Sequence, residues 1–484
     1  MRTILSSIAL FTAATAGATV VTYPAGPGVD TFADDFAVEV RQGDTAWQPL
    51  DVYPVKVDEV RGTRHCVETA SMAYFDFDGQ VDVRVIHRRG AVDSARVRPL
   101  SRHITPTVSG DTLTFSLDAP ANLSVEVGGD IFHNLHLFAN PLDSLRPSAR
   151  DIRRAGRRGS RLIYFGPGLH ELEGGVMQIP SGHTVYIDGG ARVVGTLRAD
   201  SVSDVRICGR GEVHPRGRGE GVYIACSRRV SADGIIVTQI PTGGSDSVRI
   251  TNVKAISSYG WGDGMNVFAS DNVSYDRVFC RTSDDCTTVY ATRKGFRGGC
   301  RNITMTRSTL WADVAHPIMI GLHGAATEVG VDAPSDTICD VLYRDIDILD
   351  CQERQLDYQG CMAIDCSDNN VVRDITFDDI RVEDFRRGRL FDIRIFQNSK
   401  YCAAPGRSIS GILFKDVTYD GSGDELSIIE GYDGDRRVAD VTFENLTING
   451  RRISDDMPGK PKWYKTGDMA RIFIGNHVDN VIFR

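Results

Sequence analysis

The sequence predicts an all-β protein: a right-handed parallel β-helix preceded by an N-terminal β-sandwich. Three observations predict it. A short strand motif recurs along the C-terminal two thirds, a second family of apolar strands lies between its copies, and the N-terminal part alternates apolar with polar residues between Gly and Pro breaks.

Residues 1–18 open with Met1-Arg2, continue through an apolar stretch from Ile4 to Ala14 and reach Ala16-Gly17-Ala18. That order is the pattern of a secretory signal peptide, so the protein is expected to be secreted or periplasmic. No later apolar run is long enough to span a bilayer.

Residues 19–142 carry alternating strands such as Val81-Asp82-Val83-Arg84-Val85-Ile86 and Thr112-Leu113-Thr114-Phe115-Ser116-Leu117. Such spacing suits an antiparallel sandwich with one face buried in each sheet. Residues 143–160 are basic and compatible with a helix, with Arg146, Arg150, Arg153, Arg154, Arg157 and Arg158, and read as a linker or cap. The run lacks interleaved aromatics, which argues against a nucleic-acid surface.

Residues 161–484 hold the repeat. Asn272-Val273-Ser274-Tyr275, Asn302-Ile303-Thr304-Met305, Asp340-Val341-Leu342-Tyr343, Asp374-Ile375-Thr376-Phe377, Gly411-Ile412-Leu413-Phe414 and Asp440-Val441-Thr442-Phe443 are separated by steps of 30, 38, 34, 37 and 29 residues. Between them lie Met265-Asn266-Val267-Phe268, Thr288-Val289-Tyr290, Pro317-Ile318-Met319-Ile320 and Met362-Ala363-Ile364. Two or three strands per step with no intervening helix leave a coil whose turns pair backbones above and below. Uneven steps then mean variable loops on a constant scaffold.

Composition narrows the partners. Against 64 acidic residues stand 55 basic ones, a net charge of −9, which disfavours nucleic acid and anionic membranes and leaves a neutral ligand as the easier partner. The 11 cysteines all follow residue 18 and none forms a CxxC pair, so no zinc site is expected, and Cys286 with Cys300 is the expected disulfide. The sequons at Asn122, Asn272, Asn302 and Asn445 read as chance, because three of them begin strand segments.

Two acidic motifs carry the chemistry. Gly262-Asp263-Gly264 and Ser283-Asp284-Asp285-Cys286 place Asp263 and Asp284 21 positions apart, an interval that brings three carboxylates onto neighbouring coils. Crowded carboxylates raise one another's cost of ionisation, which suits a pair that must give one proton and take another. Glycoside hydrolysis needs such a pair, one acid for the leaving oxygen and one carboxylate for water, ~6.5–9.5 Å apart when the configuration is inverted. A lone Asp-Gly is commonly a turn and a lone Asp-Asp a solvated surface or a calcium ligand. The constellation, with His316 on the following turn, favours catalysis.

The run Gly262 to Gly324, with G-D-G, S-D-D-C, T-V-Y, L-W and H-P-I-M-I-G, resembles the β-helical glycoside hydrolases of the clan joining family 28 polygalacturonases with family 49 dextranases and isopullulanases. Upstream, Pro120 to Val127 and Leu137 to Pro141 are similar to the sandwich of dextranase-like members. The resemblance implies Asp284 as general acid, with Asp263 and Asp285 holding and activating water for inversion, and no cofactor or metal. The chain departs from the polygalacturonase pattern at the residues before Asp263, at Ala315-His316-Pro317, and at Cys361-Met362-Ala363-Ile364-Asp365-Cys366, where those enzymes carry a basic pair for a uronate.

Asp365 and the net charge favour a neutral sugar and hence a dextranase-like activity on a polysaccharide or oligosaccharide, with a pectic substrate as the alternative, since Arg293, Lys294 or Arg394 could reach the groove from loops. Trp261 and Tyr290 are the expected stacking faces, while His316 orients a carboxylate or a sugar hydroxyl or is structural. A monomer is expected. The rivals are a calcium-dependent polysaccharide lyase, which a chelator would silence, and a non-catalytic glycan-binding β-helix.

Overall fold

A computed structural model describes residues 19–484 apart from 359 and 424; the proposed signal peptide lies outside the described residues. Two small sheets come first. One orders the strands Thr19–Thr22, Arg64–Asp78, Leu135–Pro141, Ala121–Val127 and Ala95–Arg98, with Tyr53–Arg61 also on Arg64–Asp78. The other orders Gln48–Leu50, Phe36–Arg41, Val81–His87, Thr112–Leu117 and Thr107–Ser109. Phe36, Val38, Val83, Leu113, Phe75 and Leu137 fill the space between them. The sandwich is antiparallel save for one pair, Leu135–Pro141 running parallel to Arg64–Asp78.

The long strand Arg64–Asp78 is buried on both faces over Ala70–Phe77. Phe75 and Phe77 point into the sandwich, while Met72 and Tyr74 point the other way and pack with Ile236, Ile256 and Phe279 of the coils. Charged side chains complete that junction. Arg210 bonds Asp76 at 2.8 Å, Arg98 bonds Glu383 at 2.6 Å, and the buried Arg281 joins Asp313 at 2.8 Å and Asn134 at 2.9 Å. The intervening helix is short, Ala149–Arg154, capped by Ser148, and Arg146 ahead of it bonds Asp188 at 2.9 Å.

From Leu162 to Phe483 one sheet of 29 strands winds into a parallel β-helix, each strand pairing with its counterparts one coil away. The only antiparallel pair in it is the hairpin Leu446–Ile448 with Arg451–Ile453, among the described residues. The recurring motif is the repeat of one corner. Its first residue has positive φ in every copy (Asn272 56°, Asn302 57°, Asp340 57°, Asp374 58°, Gly411 67°, Asp440 55°), a bend that Asn, Asp and Gly tolerate best. The second residue is an interior stack, since Val273, Ile303, Val341, Ile375, Ile412 and Val441 lie in register. From Asp374 onward the fourth makes an aromatic column, continued by Phe483 on the last strand, with Phe377, Phe414, Phe443 and Phe483 stacked at 4.7, 5.0 and 4.8 Å, each contact adding about 0.5–1.5 kcal/mol beyond burial.

Two of the sequons, Asn272 and Asn302, belong to this corner, Asn445 belongs to the bend that follows it, and Asn122 lies in the sandwich strand Ala121–Val127. The Asn302 amide donates to Asn272 at 2.7 Å, Asn272 to Asp246 at 2.9 Å, and Asn445 to Asp416 at 2.7 Å. The expected disulfide does not form: Cys286 rests against the Thr282 hydroxyl and Cys300 against the Tyr290 carbonyl, and all 11 cysteines are free. No helix among the described residues is long and apolar enough to cross a membrane.

Candidate active site

Strand register decides which acids meet. Met265–Phe268 pairs with Thr287–Tyr290 as Met265 beside Thr287, and Thr287 pairs in turn with Ile318. Two residues upstream, Asp263, Asp285 and His316 therefore stand in one row across three coils. The Gly264 N–H donates to the Asp285 carbonyl at 2.9 Å and the Cys286 N–H to the His316 carbonyl at 2.8 Å. Asp285, not Asp284, is the neighbour of Asp263 in the ladder; Asp284 flanks the row.

The glycines of the first motif are required by that contact. A Cβ on Gly262 would lie 2.4 Å from the Ser283 hydroxyl, and one on Gly264 2.5 Å from the Cys286 carbonyl. Larger residues would push the two acidic loops apart.

Asp285 is buried and held on both oxygens. One accepts the His316 backbone N–H at 3.2 Å and its Nδ1 at 2.7 Å, and the other accepts the Tyr290 hydroxyl at 3.0 Å. The His316 Nε2 faces the Tyr358 carbonyl at 2.5 Å. With an acceptor at each ring nitrogen, both must carry protons, so His316 is an imidazolium. Burial alone would lower its pKa, but the Asp285 charge and hydrogen bond prevail and hold it well above the usual histidine range.

Asp263 and Asp284 are only half-buried. Asp263 accepts the Asn266 amide at 2.5 Å, and its pKa is pushed up to about 6 by burial and then by Asp285, with Lys294 and Arg293 pulling the other way. Among the described residues Asp284 accepts only its neighbour's backbone N–H, from Asp285 at 3.0 Å, and burial, then Asp263 and Asp285, push its carboxyl well above the ordinary range. Two partly open carboxyls and one fixed carboxyl thus share a corner.

The remaining expected residues divide. Trp261 is 76% exposed and stands beside a cavity of about 490 Å³. Tyr290 is no stacking face: its ring is buried, 6.2 Å from Phe268 and 4.9 Å from His323, and its hydroxyl serves Asp285. His316, fully buried, touches Asp285 rather than an open cleft. Asp365 is also fully buried, with neither oxygen hydrogen-bonded; burial and then the nearby Asp392 push its carboxyl well above the ordinary range. An acid enclosed in this way faces no sugar, so that argument for a neutral substrate falls. Trp311 is enclosed as well, with the Arg281 guanidinium 4.1 Å from its ring centre.

Asn266, which bonds Asp263, and Tyr358, whose carbonyl meets His316, belong to the site and are not marked as such by the two acidic motifs. Asn266 carried a signal, a polar residue three places after Asp263 in an apolar strand, and the Thr288 hydroxyl donates to its oxygen at 2.8 Å. Among the described residues no group of three or more His, Cys, Asp or Glu is arranged to hold a metal ion.

No family model matches the chain, and no curated protein matches it in sequence. Among solved structures, Dex49A from Penicillium minioluteum superposes with a TM-score of 0.61 at 13% identity, over 95% of this chain and 96% of that one. An endo-xylogalacturonan hydrolase from Aspergillus tubingensis gives 0.42 at 11% identity (66% and 87% covered), and a family 28 exopolygalacturonase from Yersinia enterocolitica gives 0.40 at 11% identity (84% and 96% covered). The Dex49A likeness spans sandwich and coils together. It bears out, for the fold, the resemblance read from the acidic motifs.

Proposed function

We propose that this protein is an exported glycoside hydrolase that cleaves O-glycosidic bonds of a polysaccharide or oligosaccharide with inversion. The observation that carries the reading is the division of labour among three adjoining carboxyls. Asp284, kept protonated by burial and by its acidic neighbours, protonates the leaving oxygen. Asp263, ionised above a pH of about 6, takes a proton from water. Asp285, fixed by Tyr290 and His316, holds that water and stabilises the charge of the oxocarbenium-like transition state.

A neutral α-glucan of the dextran kind is the favoured substrate, supported by a fold shared with Dex49A over nearly the whole chain and by the net charge of −9. The pectic alternative keeps one observation on its side: Lys294 and Arg293 lie within electrostatic reach of Asp263. Reducing-end release from dextran, pullulan, polygalacturonate and rhamnogalacturonan separates the two. Release from dextran or pullulan supports the reading, release confined to the uronates replaces the substrate, and an ultraviolet-absorbing, chelator-sensitive product replaces hydrolysis with elimination.

A further inference from the structure

The sandwich grips the loop that leads into the acid corner. Asp58, fully buried within the strand Tyr53–Arg61, accepts the backbone N–H of Tyr259 at 3.1 Å and of Gly260 at 3.0 Å on the oxygen that also meets His65 Nδ1 at 2.6 Å. The loop it grips is strained. Tyr259, Gly260 and Trp261 have φ of 79°, 70° and 54°, three left-handed residues in succession, two of them bulky aromatics. Such a conformation costs of order 1–3 kcal/mol per non-glycine residue and persists only where its surroundings over-determine it. Here they do so across the domain junction, two residues before Asp263.

The grip turns the Trp261 ring outward and leaves a cavity of about 490 Å³ between the two domains, within the ~300–1,000 Å³ usual for small-molecule clefts. Its walls combine Lys56 of the sandwich with Gln239 and Glu212 of the preceding coils and with the loop itself. Its charged groups are partly engaged: Glu212 is met by Arg192 at 2.9 Å and His214 at 2.8 Å, and Arg218 lies over the Tyr259 ring at 4.1 Å. On the other side of the acids the coil face is covered. Tyr358 stacks on Tyr401 at 4.7 Å, its carbonyl bonds His316, and Arg394 ties the same loop through the Asp357 carbonyl at 2.6 Å.

Resting on the hydrolase reading above, we propose that this junction cavity is a sugar subsite adjoining the acids, that it takes the continuing rings of a neutral oligosaccharide toward the preceding coils, and that Asp58 is its positioning residue. The sandwich is then part of the binding site. Trp261 supplies a ring face, Lys56 and Gln239 supply donors for hydroxyls, and the covered side limits the chain in the other direction.

The test titrates isomalto-oligosaccharides of increasing length into the full chain carrying Asp284→Asn, by calorimetry. Affinity should rise with each added ring until the cavity is filled. Adding Trp261→Ala, at an exposed position, should remove at least about tenfold of the affinity for the longest ligand and flatten the length dependence. Adding Asp58→Asn should weaken long ligands more than short ones, and Asp58→Ala should do so further. Affinity independent of length, or unchanged by Trp261→Ala and Asp58→Asn, would overturn the subsite. Wild-type protein that still cleaves dextran then keeps the hydrolase reading, whereas one that cleaves no glycan loses both.

Discussion

Two acidic clusters sit on the outward side of this β-helix, and they resolve their crowding in opposite ways. Around Asp392 the protein supplies cations: Arg394 bonds it at 2.6 and 3.0 Å and Arg389 at 3.2 Å, and Asp365 beside it is sealed from solvent. Around Asp263, Asp284 and Asp285 no arginine makes contact among the described hydrogen bonds and ion pairs, two of the three carboxyls stay partly open, and the cation nearest Asp285 is the enclosed imidazolium of His316. Crowded carboxylates alone do not make a catalytic site. What differs is that the second cluster is left under-compensated and reachable, so that its proton affinities remain available for chemistry.

The largest effect that would break this contrast is on turnover. Asp284→Asn and Asp263→Asn should each lower kcat on the cleaved glycan by ~10²–10⁴-fold with binding and circular dichroism preserved, since a positioned acid or base contributes about that much. Substantial residual activity in both would remove them from the centre. On the structural side the loss should appear in stability instead. Asp392→Ala removes the buried carboxylate that Arg394 and Arg389 share and should cost ~3–5 kcal/mol in denaturant unfolding, as the breaking of a buried ion pair does.

A smaller effect has the opposite sign. The folded pKa of Asp263, about 6, lies above the ~3.9 of an unfolded aspartate, so the folded state binds more protons between those values and loses stability as pH rises through that window. Asp263→Asn should therefore raise stability at pH 7 by on the order of 1 kcal/mol, a gain that vanishes below pH ~4. Wild-type activity should fall as pH drops through about 6, where Asp263 becomes protonated. The smallest effect on turnover belongs to Asp365, whose carboxyl is also held above the ordinary range by burial: Asp365→Asn should leave turnover alone and, by the same linkage, raise stability at pH 7.

The fold was legible because a β-helix writes the same corner into every coil. The residues at 272, 302, 340, 374, 411 and 440 bend the chain, the next points inward, and in the later coils the fourth residue builds the aromatic column, so a period of strands was enough to read the architecture. The acids were legible because glycines flank one motif and a repeated Asp marks the other. Which neighbours serve them was not. Sequence distance places Asp263 nearest Asp284, whereas ladder register places it beside Asp285, and a one-residue difference reverses which way a strand residue faces. Tyr290 looked like a stacking face because nothing local shows that Phe268 and His323 enclose it. Asp58 was out of reach altogether, since its role exists only once the sandwich docks on the coils.

The most direct test follows the anomeric proton by NMR during the first minutes of cleavage of an α-linked glucan. If Asp263, Asp284 and Asp285 form one water-holding centre, the β-anomer must appear first and only then mutarotate to the equilibrium mixture. First appearance of the α-anomer would mean a covalent intermediate on one of these carboxylates, and would contradict the account.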